Sequence, residues 1–572
     1  MAGSSYLWWQ TGVIYQIYPR SFKDTTGNGV GDLRGVIQKL DYLSETLGVD
    51  ALWLSPFYPS PMADFGYDVA DYTDVDPLFG DLSTFDELVD KAHARNLRII
   101  IDLVPNHSSD QHPWFQESRS SRDNLKRDWY VWADPQADGS PPNNWLSVFG
   151  GSAWEWDEWT GQYYLHSFLK EQPDLNWRNP EVREVMFDVV RFWLERGVDG
   201  FRVDVAHYVM KDPCLRDNPP APEGARLIHR PLGDYDSQFH VHDKNHPDVH
   251  DVYREFRQIL NNYSDERPRM SIGEVHIFDW DEWAAYYGEN LDELHMPFNF
   301  ALLNVEWKAK AVRKVVDSLE GALPAGAWPN YVLGNHDESR LASRYGHDGA
   351  RVAAMLLLTL RGTPTLYYGD EIGMTDVPIP ANRRQDPWSI PGSMEMGRDP
   401  ARTPMQWSAA PNAGFSPPAA TELWLPIADD FEIVNVERQL AEPRSMLNLY
   451  RRLLAYRKVT PALQYGAYRV MNSVSSEVPD VCYAFLRETD EEQILVALNF
   501  SDQEQHLAIP SLGEGVVVVS THMDQSGPVN AATLSLRGHE GVVIDLTPSS
   551  LPRDKSEMGA TQHLGGRYAG TG

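Results

Sequence analysis

An α/β fold built on eight parallel strands is predicted by three features of the sequence. Short β-branched runs recur along the first two thirds of the 572 residues, most of them leading into polar loop residues and then a segment with helical apolar spacing. Eight such runs can be counted before residue 375. Parallel neighbours need a crossover between them, and the helix-spaced segments supply it. Eight parallel strands with intervening helices make a TIM (β/α)8 barrel.

The elements follow in order. VIYQIY (13–18) leads into DLRGVIQKLDYLSETLG, ALWL (51–54) leads into LSTFDELVDKAHARN, and RIIIDLV (98–104) ends at Asn106 and His107. Between 106 and 177 the rhythm stops and Trp, Gly, Pro, Asn and Ser dominate, which reads as an inserted subdomain. It resumes with VREVMFDVVRFWLERGV and GFRVDV, then MSIGEVHI, HMPFNFAL, NYVLGNHD and TPTLYYGDEIG. A Pro-rich polar excursion at about 371–440 precedes an amphipathic helix, SMLNLYRRLLAYRKV at 445–459, that closes the barrel. The barrel is therefore assigned to 1–105 and 178–460, with the insert at 106–177. Beyond it, CYAFLRE, QILVALNF, EGVVVVS and GVVIDL give 461–551 the spacing of an antiparallel, β-sandwich-like domain, and the Gly-rich polar tail at 552–572 is expected to be disordered.

Composition narrows the ligand. A formal net charge of −32 repels phosphate-rich and anionic-lipid surfaces, so nucleic acid and membrane are excluded as partners and a small neutral molecule is favoured. The 19 Trp, 26 Tyr and 20 Phe mostly build core but also suit the apolar faces of a sugar. Cys214 and Cys482 lie far apart and outside any metal spacing. The N-terminus lacks a basic-then-apolar leader, and VAAMLLLTL (352–360), flanked by Arg351 and Arg361, is too short to span a bilayer; the expectation is a cytoplasmic protein of unspecified oligomeric state.

In a (β/α)8 barrel chemistry sits at the C-terminal strand ends. Here strand three ends at His107, strand four in Arg202 and Asp204, strand five in Glu274, and strand seven in Asn335, His336 and Asp337. Carboxylates crowded at one rim are costly unless one is kept protonated as an acid while another stays ionised as a nucleophile. That division of labour is the retaining glycosidase mechanism.

GFRVDV, IGEV, GNHD and DLVPNH resemble the four short conserved stretches of the α-amylase family of glycoside hydrolases, and the resemblance covers essentially the whole chain. QPDLNW (172–177) and GRDPARTPMQW (397–407) are similar to its α-glucosidase and oligo-1,6-glucosidase branch. The resemblance implies Asp204 as nucleophile, Arg202 holding it ionised, Glu274 as acid/base, Asp337 gripping two sugar hydroxyls, and His107 and His336 donating hydrogen bonds that tighten at the transition state. It also implies that Tyr67 of ADFGYD stacks on the sugar and that Asp64 pairs with Arg402, closing the pocket for an exo-acting enzyme; Phe149 adds a wall.

DTTGNGVGD (24–32) alternates oxygen donors at Asp24, Thr26, Asn28 and Asp32, with the Val30 carbonyl to complete them, as in calcium loops. It is similar to a loop of the oligo-1,6-glucosidase branch that holds Ca2+ or Mg2+, except that Thr26 stands where Asn is common, and any ion there is structural; no organic cofactor is implied.

Val205, after the nucleophile, goes with α-1,6 preference in this branch, whereas the long excursion after strand four resembles that of α-glucosidases acting on maltose-sized α-1,4 substrates; the longer feature is given the greater weight. An oligo-1,6-glucosidase, a sucrose or maltose isomerase, a trehalose synthase and a glucosyltransferase would share every catalytic residue. Ancillary heavy chains of amino-acid transporters also resemble the family, but they carry a membrane anchor and lose carboxylates that are present here.

Overall fold

The computed structural model describes residues 6–222, 232–265, 267–388, 397–420, 422–471 and 477–547. The tail at 552–572 lies outside them. Eight strands form one parallel sheet: β1 Ile14–Ile17, β2 Ala51–Leu54, β3 Arg98–Leu103, β4 Gly200–Val203, β5 Met270–Glu274, β6 Met296–Phe298, β7 Asn330–Val332 and β8 Thr363–Tyr367. Each pairs with its chain neighbour, β8 pairs with β1 through Ile14 and Thr365, and a parallel bridge from Asn299 to Tyr331 joins β6 to β7, so the sheet closes. Almost every strand residue is buried on both faces, because helices cover the outside and side chains fill the inside.

Helix starts follow side-chain chemistry. Asp32, Asp81 and Asn179 each accept a hydrogen bond from a backbone N–H of the helix that follows, at Leu33–Gln38, Leu82–His93 and Pro180–Glu195. The strands are shorter than the apolar runs at several C-terminal ends: GFRVDV stops pairing at Val203 and NYVLGNHD at Val332. The residues past those points leave the sheet and carry the polar side chains of the rim.

Between β3 and β4 the chain forms a small sheet of Trp132–Ala133, Gln162–Leu165 and Trp154–Asp157, stitched by an Arg127 guanidinium over Trp132 at 3.4 Å. After the helix Met446–Lys458 come two antiparallel sheets, one of six strands and one pairing Gln505–Ala508 with Thr533–Leu536. Alternation divides their side chains between two cores: Cys482, Ala484 and Leu486 point into the sandwich, while Tyr483 and Phe485 join the core of the barrel. Among the described residues no helix is long and apolar enough to cross a membrane.

Candidate active site

Arg202, in β4, is the hub of the barrel mouth. Only 1% of its side chain is exposed; Nη1 donates to Asp204 Oδ1 at 2.7 Å and to Asp102 Oδ1 at 2.6 Å, and Nη2 donates to Glu274 Oε2 at 2.6 Å. Three carboxyls on one guanidinium cannot all be neutralised by it. Burial pushes Asp102 up to about 6 against the pull of Arg202, and pushes Asp204 up as well, with Glu274 and Asp102 adding to it. At Glu274, Arg202 and a hydrogen bond from His276 outweigh burial and hold the carboxyl below its ordinary range. Glu274 Oε2 also accepts from the Val205 amide at 3.0 Å, and Oε1 lies 2.8 Å from His276 Nε2. That amide is aimed by a left-handed backbone, φ 36°, which is strained for a β-branched residue.

The second cluster corrects one sequence expectation. Asp64 does not pair with Arg402: its Oδ1 accepts from Arg398 Nη2 at 2.6 Å. Arg402 instead donates to Asp337 Oδ1 at 2.9 Å and to the His336 carbonyl. Arg398 also reaches Asp337 at 3.2 Å and Asp386 at 2.8 Å. GRDPARTPMQW carries both arginines, and the short helical turn Asp399–Ala401 between them brings both guanidiniums to the mouth, Arg398 on Asp64 and Arg402 on Asp337. At Asp337 burial is outweighed by the Arg398, Arg402 and Arg202 guanidiniums, so its carboxyl stays ionised. The Tyr67 ring lies flat on His336, 5.4 Å between centroids and 4° between planes, and its hydroxyl is 2.7 Å from Nε2; burial pushes His336 down to about 3, a neutral ring.

The insert supplies the side wall. Gln172 Nε2 lies 3.1 Å from His107 Nε2 and donates to Asp64 Oδ2 at 3.3 Å, tying strand-three chemistry to the pocket end. His107, buried and pushed down to about 4, is neutral. Phe149 packs on Trp388 at 4.8 Å with the Arg398 guanidinium 5.6 Å from its ring. Phe168 lies between His107 and Tyr208, 5.2 Å from each. Sequence reasoning did not single out Asp102, Gln172, Phe168, His276 or Arg398. Asp102, Gln172, His276 and Arg398 lay inside the motifs DLVPNH, QPDLNW, MSIGEVHI and GRDPARTPMQW, and Phe168 carried no spacing signal.

At the N-terminal loop, Asp24 Oδ1 accepts from the Thr26 and Gly27 amides at 2.8 Å and Oδ2 accepts from Gly29 N at 2.9 Å and from Ser416. Asp32 accepts from Thr25 N at 2.7 Å and Gly35 N at 2.8 Å. Asn28 Oδ1 accepts from the Val30 amide at 2.9 Å, and the Thr26 and Asn28 side chains are exposed. A Ca2+ ion takes six to eight oxygen ligands. With two carboxylates, both already engaged by amides and hydroxyls, the residues do not fit a tightly held cation. Elsewhere among the described residues His522, Asp524 and Glu540 converge, but Arg537 donates to both carboxylates and already supplies the positive charge.

The comparisons with known proteins agree with this geometry. Residues 16–466 match the family model described as alpha amylase, catalytic domain, and residues 473–543 match maltogenic amylase, C-terminal domain. A probable alpha-glucosidase of Rhizobium meliloti is 45% identical over 515 residues, covering 88% of this chain and 91% of its own length. An oligo-1,6-glucosidase of Parageobacillus thermoglucosidasius is 38% identical, covering 88% and 92%. An amino acid transporter heavy chain of Rattus norvegicus is 37% identical, covering 95% and 79%. Among solved structures, the alpha-glucosyl transfer enzyme XgtA has a TM-score of 0.88 at 41% identity, covering 95% of this chain and 100% of that one. An isomaltulose synthase mutant of Erwinia rhapontici has a TM-score of 0.84 at 34%, covering 96% and 100%.

Proposed function

The chain belongs to the α-amylase family of glycoside hydrolases, and within it we propose a retaining, exo-acting α-glucosidase that releases glucose from the non-reducing end of short α-glucosides, maltose-like α-1,4 substrates first. The observation that supports this reading is the ion pair of Asp64 with Arg398, backed by Gln172 and Asp386 and reaching Asp337, which we read as closing one end of the pocket. A stopped pocket admits a chain terminus and not a chain interior.

Asp204 is the nucleophile of this reading. It attacks the anomeric carbon while Glu274 protonates the leaving oxygen; Glu274 then takes a proton from the water that hydrolyses the glucosyl-enzyme. Asp204 and Glu274 sit on the two terminal nitrogens of one guanidinium. This favours the separation of about 5 to 5.5 Å used by retaining pairs over the wider gap that houses a water in inverting ones. Asp337, ionised between Arg398 and Arg402, is placed to take sugar hydroxyls as they become more acidic toward the oxocarbenium-like transition state. A ligand-binding subunit without turnover has no need of such a hub.

The excursion after β4 supports a short acceptor. It docks on the insert through Trp145 Nε1 to the Arg216 carbonyl at 2.9 Å, and returns over the mouth where the Tyr235 hydroxyl meets that of Tyr208 at 2.6 Å, in one apolar cluster with Val205. A second reading, glucosyl transfer or sucrose isomerisation, is favoured by the likeness to XgtA and to the isomaltulose synthase. Product analysis on maltose, isomaltose, sucrose, trehalose and maltotriose separates the two. Free glucose, with kcat/KM higher on maltose than on isomaltose, is expected; isomerised disaccharide without net glucose would overturn hydrolysis. Ca2+ or Mg2+ at Asp24–Asp32 has no part in this chemistry.

A further inference from the structure

The acid/base carboxyl poses a problem that its own contacts answer. An acid catalyst must carry a proton, yet Glu274 Oε2 is filled by two N–H donors, Arg202 Nη2 and the Val205 amide. A proton on this carboxyl can only sit on Oε1. The group at Oε1 is the His276 ring, 2.8 Å away, stacked on Phe300 at 4.4 Å and 9°, and with 36% of its side chain exposed to exchange protons with solvent. We propose that His276 is the positioning residue of the acid/base: it holds the catalytic proton on Nε2 while Glu274 is gripped by Arg202, and hands it to Oε1 when the carboxyl swings to the leaving oxygen.

The step balances. The Nε2–H bond breaks as the Oε1–H bond forms, leaving a neutral imidazole and a carboxylic acid. The acid proton then goes to the glycosidic oxygen as the bond to the anomeric carbon breaks, and Glu274 is a carboxylate again. In the second half-reaction it takes a proton from water and returns it to Nε2.

The groups facing Glu274 are Arg202 from β4, Asp204 just past it, Asp102 from β3 and Asp337 beyond β7, with Lys244 of the excursion beside the neighbouring His207. His207, fully buried with its ring centroid 6.0 Å from that of His276, completes the set; burial holds it neutral, and Lys244 beside it pushes the same way.

The inference rests on the glucosidase reading, and the test separates the two. Wild-type, His276→Gln and His276→Phe are assayed from pH 4 to 9 on maltose and on 4-nitrophenyl α-D-glucoside, whose leaving group needs little protonation. Gln can still donate to Oε1 but cannot store a proton. Expected for His276→Gln is a fall in kcat/KM on maltose of about 10-fold or more, a much smaller fall on the nitrophenyl substrate, and an alkaline limb moved to lower pH. Equal losses on both substrates, or an unmoved limb, would overturn the proposal and leave a merely structural ring. His276→Phe must show the same split with its thermal midpoint unchanged. If wild-type consumes sucrose without freeing glucose, the hydrolase reading falls but the split is read on total bond cleavage. If wild-type cleaves neither substrate, both fall.

Discussion

Two parts of the molecule crowd carboxylates at similar burial and neutralise them by different means. At the barrel mouth Asp102, Asp204, Glu274, Asp64, Asp337 and Asp386 are held by three arginines from two stretches of chain, Arg202 on β4 and the Arg398–Arg402 turn. In the loop from Asp24 to Asp32 the carboxylates are held mainly by backbone amides a few residues away. An amide array is fixed once the turn forms and cannot be redistributed. A guanidinium shared by three carboxyls can be, because releasing one strengthens its hold on the others. In the proposed reading the mouth changes its proton and hydrogen-bond pattern during turnover, and the loop keeps its own.

The largest expected effect breaks the mouth without unfolding it. Asp204→Asn should cut kcat by about 10^4-fold or more while leaving the thermal midpoint within a few degrees, since it removes a buried charge but keeps the shape; a rate within tenfold of wild type sinks the assignment. Next, Arg398→Met leaves Asp64 and Asp386 buried without their cation. It should cost about 3 to 5 kcal/mol in denaturant unfolding and raise KM for maltose; a loss below 1 kcal/mol would mean the pocket end is not held by charge.

The pH dependence of stability sharpens the contrast. His107 is neutral in the fold, pushed down to about 4 by burial, against about 6.5 when unfolded. Between those values the unfolded chain binds the proton and the folded one does not, so stability falls as pH drops from 6.5 toward 4, by at most about 1.4 kcal/mol per pH unit from this ring. His107→Asn should flatten that slope in thermal melts. Asp24 behaves otherwise: burial raises its carboxyl, but Ser416 and the Gly27, Gly29 and Thr26 amides outweigh it and leave it lowered. Its contribution is present above about pH 4 and lost only below, so Asp24→Asn should keep the full slope between 6.5 and 4 while costing about 1 kcal/mol throughout. The smallest effect expected is that of a chelator. With two carboxylates already engaged, removing divalent cations should move the thermal midpoint by less than about 2 °C, the signature of a weak site set by low ligand charge; a drop of ten degrees would show that the loop rearranges around an ion.

How much of this was legible in sequence follows from the range of the forces. The barrel strands were readable because burial on both faces writes continuous apolar runs, and the rim residues because they follow those runs directly. Gly527–Asn530 and Ala467–Val470 were missed because short, half-exposed edge strands carry no such run. The pairing of Asp64 with Arg398 was not readable either. Arg398 and Arg402 are separated by one helical turn, and which guanidinium meets which carboxylate depends on how that turn lies across the mouth. His276, though inside MSIGEVHI, was not singled out because its role comes from a contact with Glu274 two residues earlier and a stack on Phe300, two residues past β6.

Val205 has a consequence for how such a pocket can diversify. Its side chain belongs to the apolar cluster beside Tyr208 and Tyr235, while its strained amide holds Glu274. An exchange there alters two properties at once: the shape offered to the incoming acceptor, and the ease with which the acid leaves its resting contact. Glycine or asparagine would relax the backbone as well as open the wall. In the proposed glucosidase reading, acceptor preference and acid strength are therefore coupled at this one position.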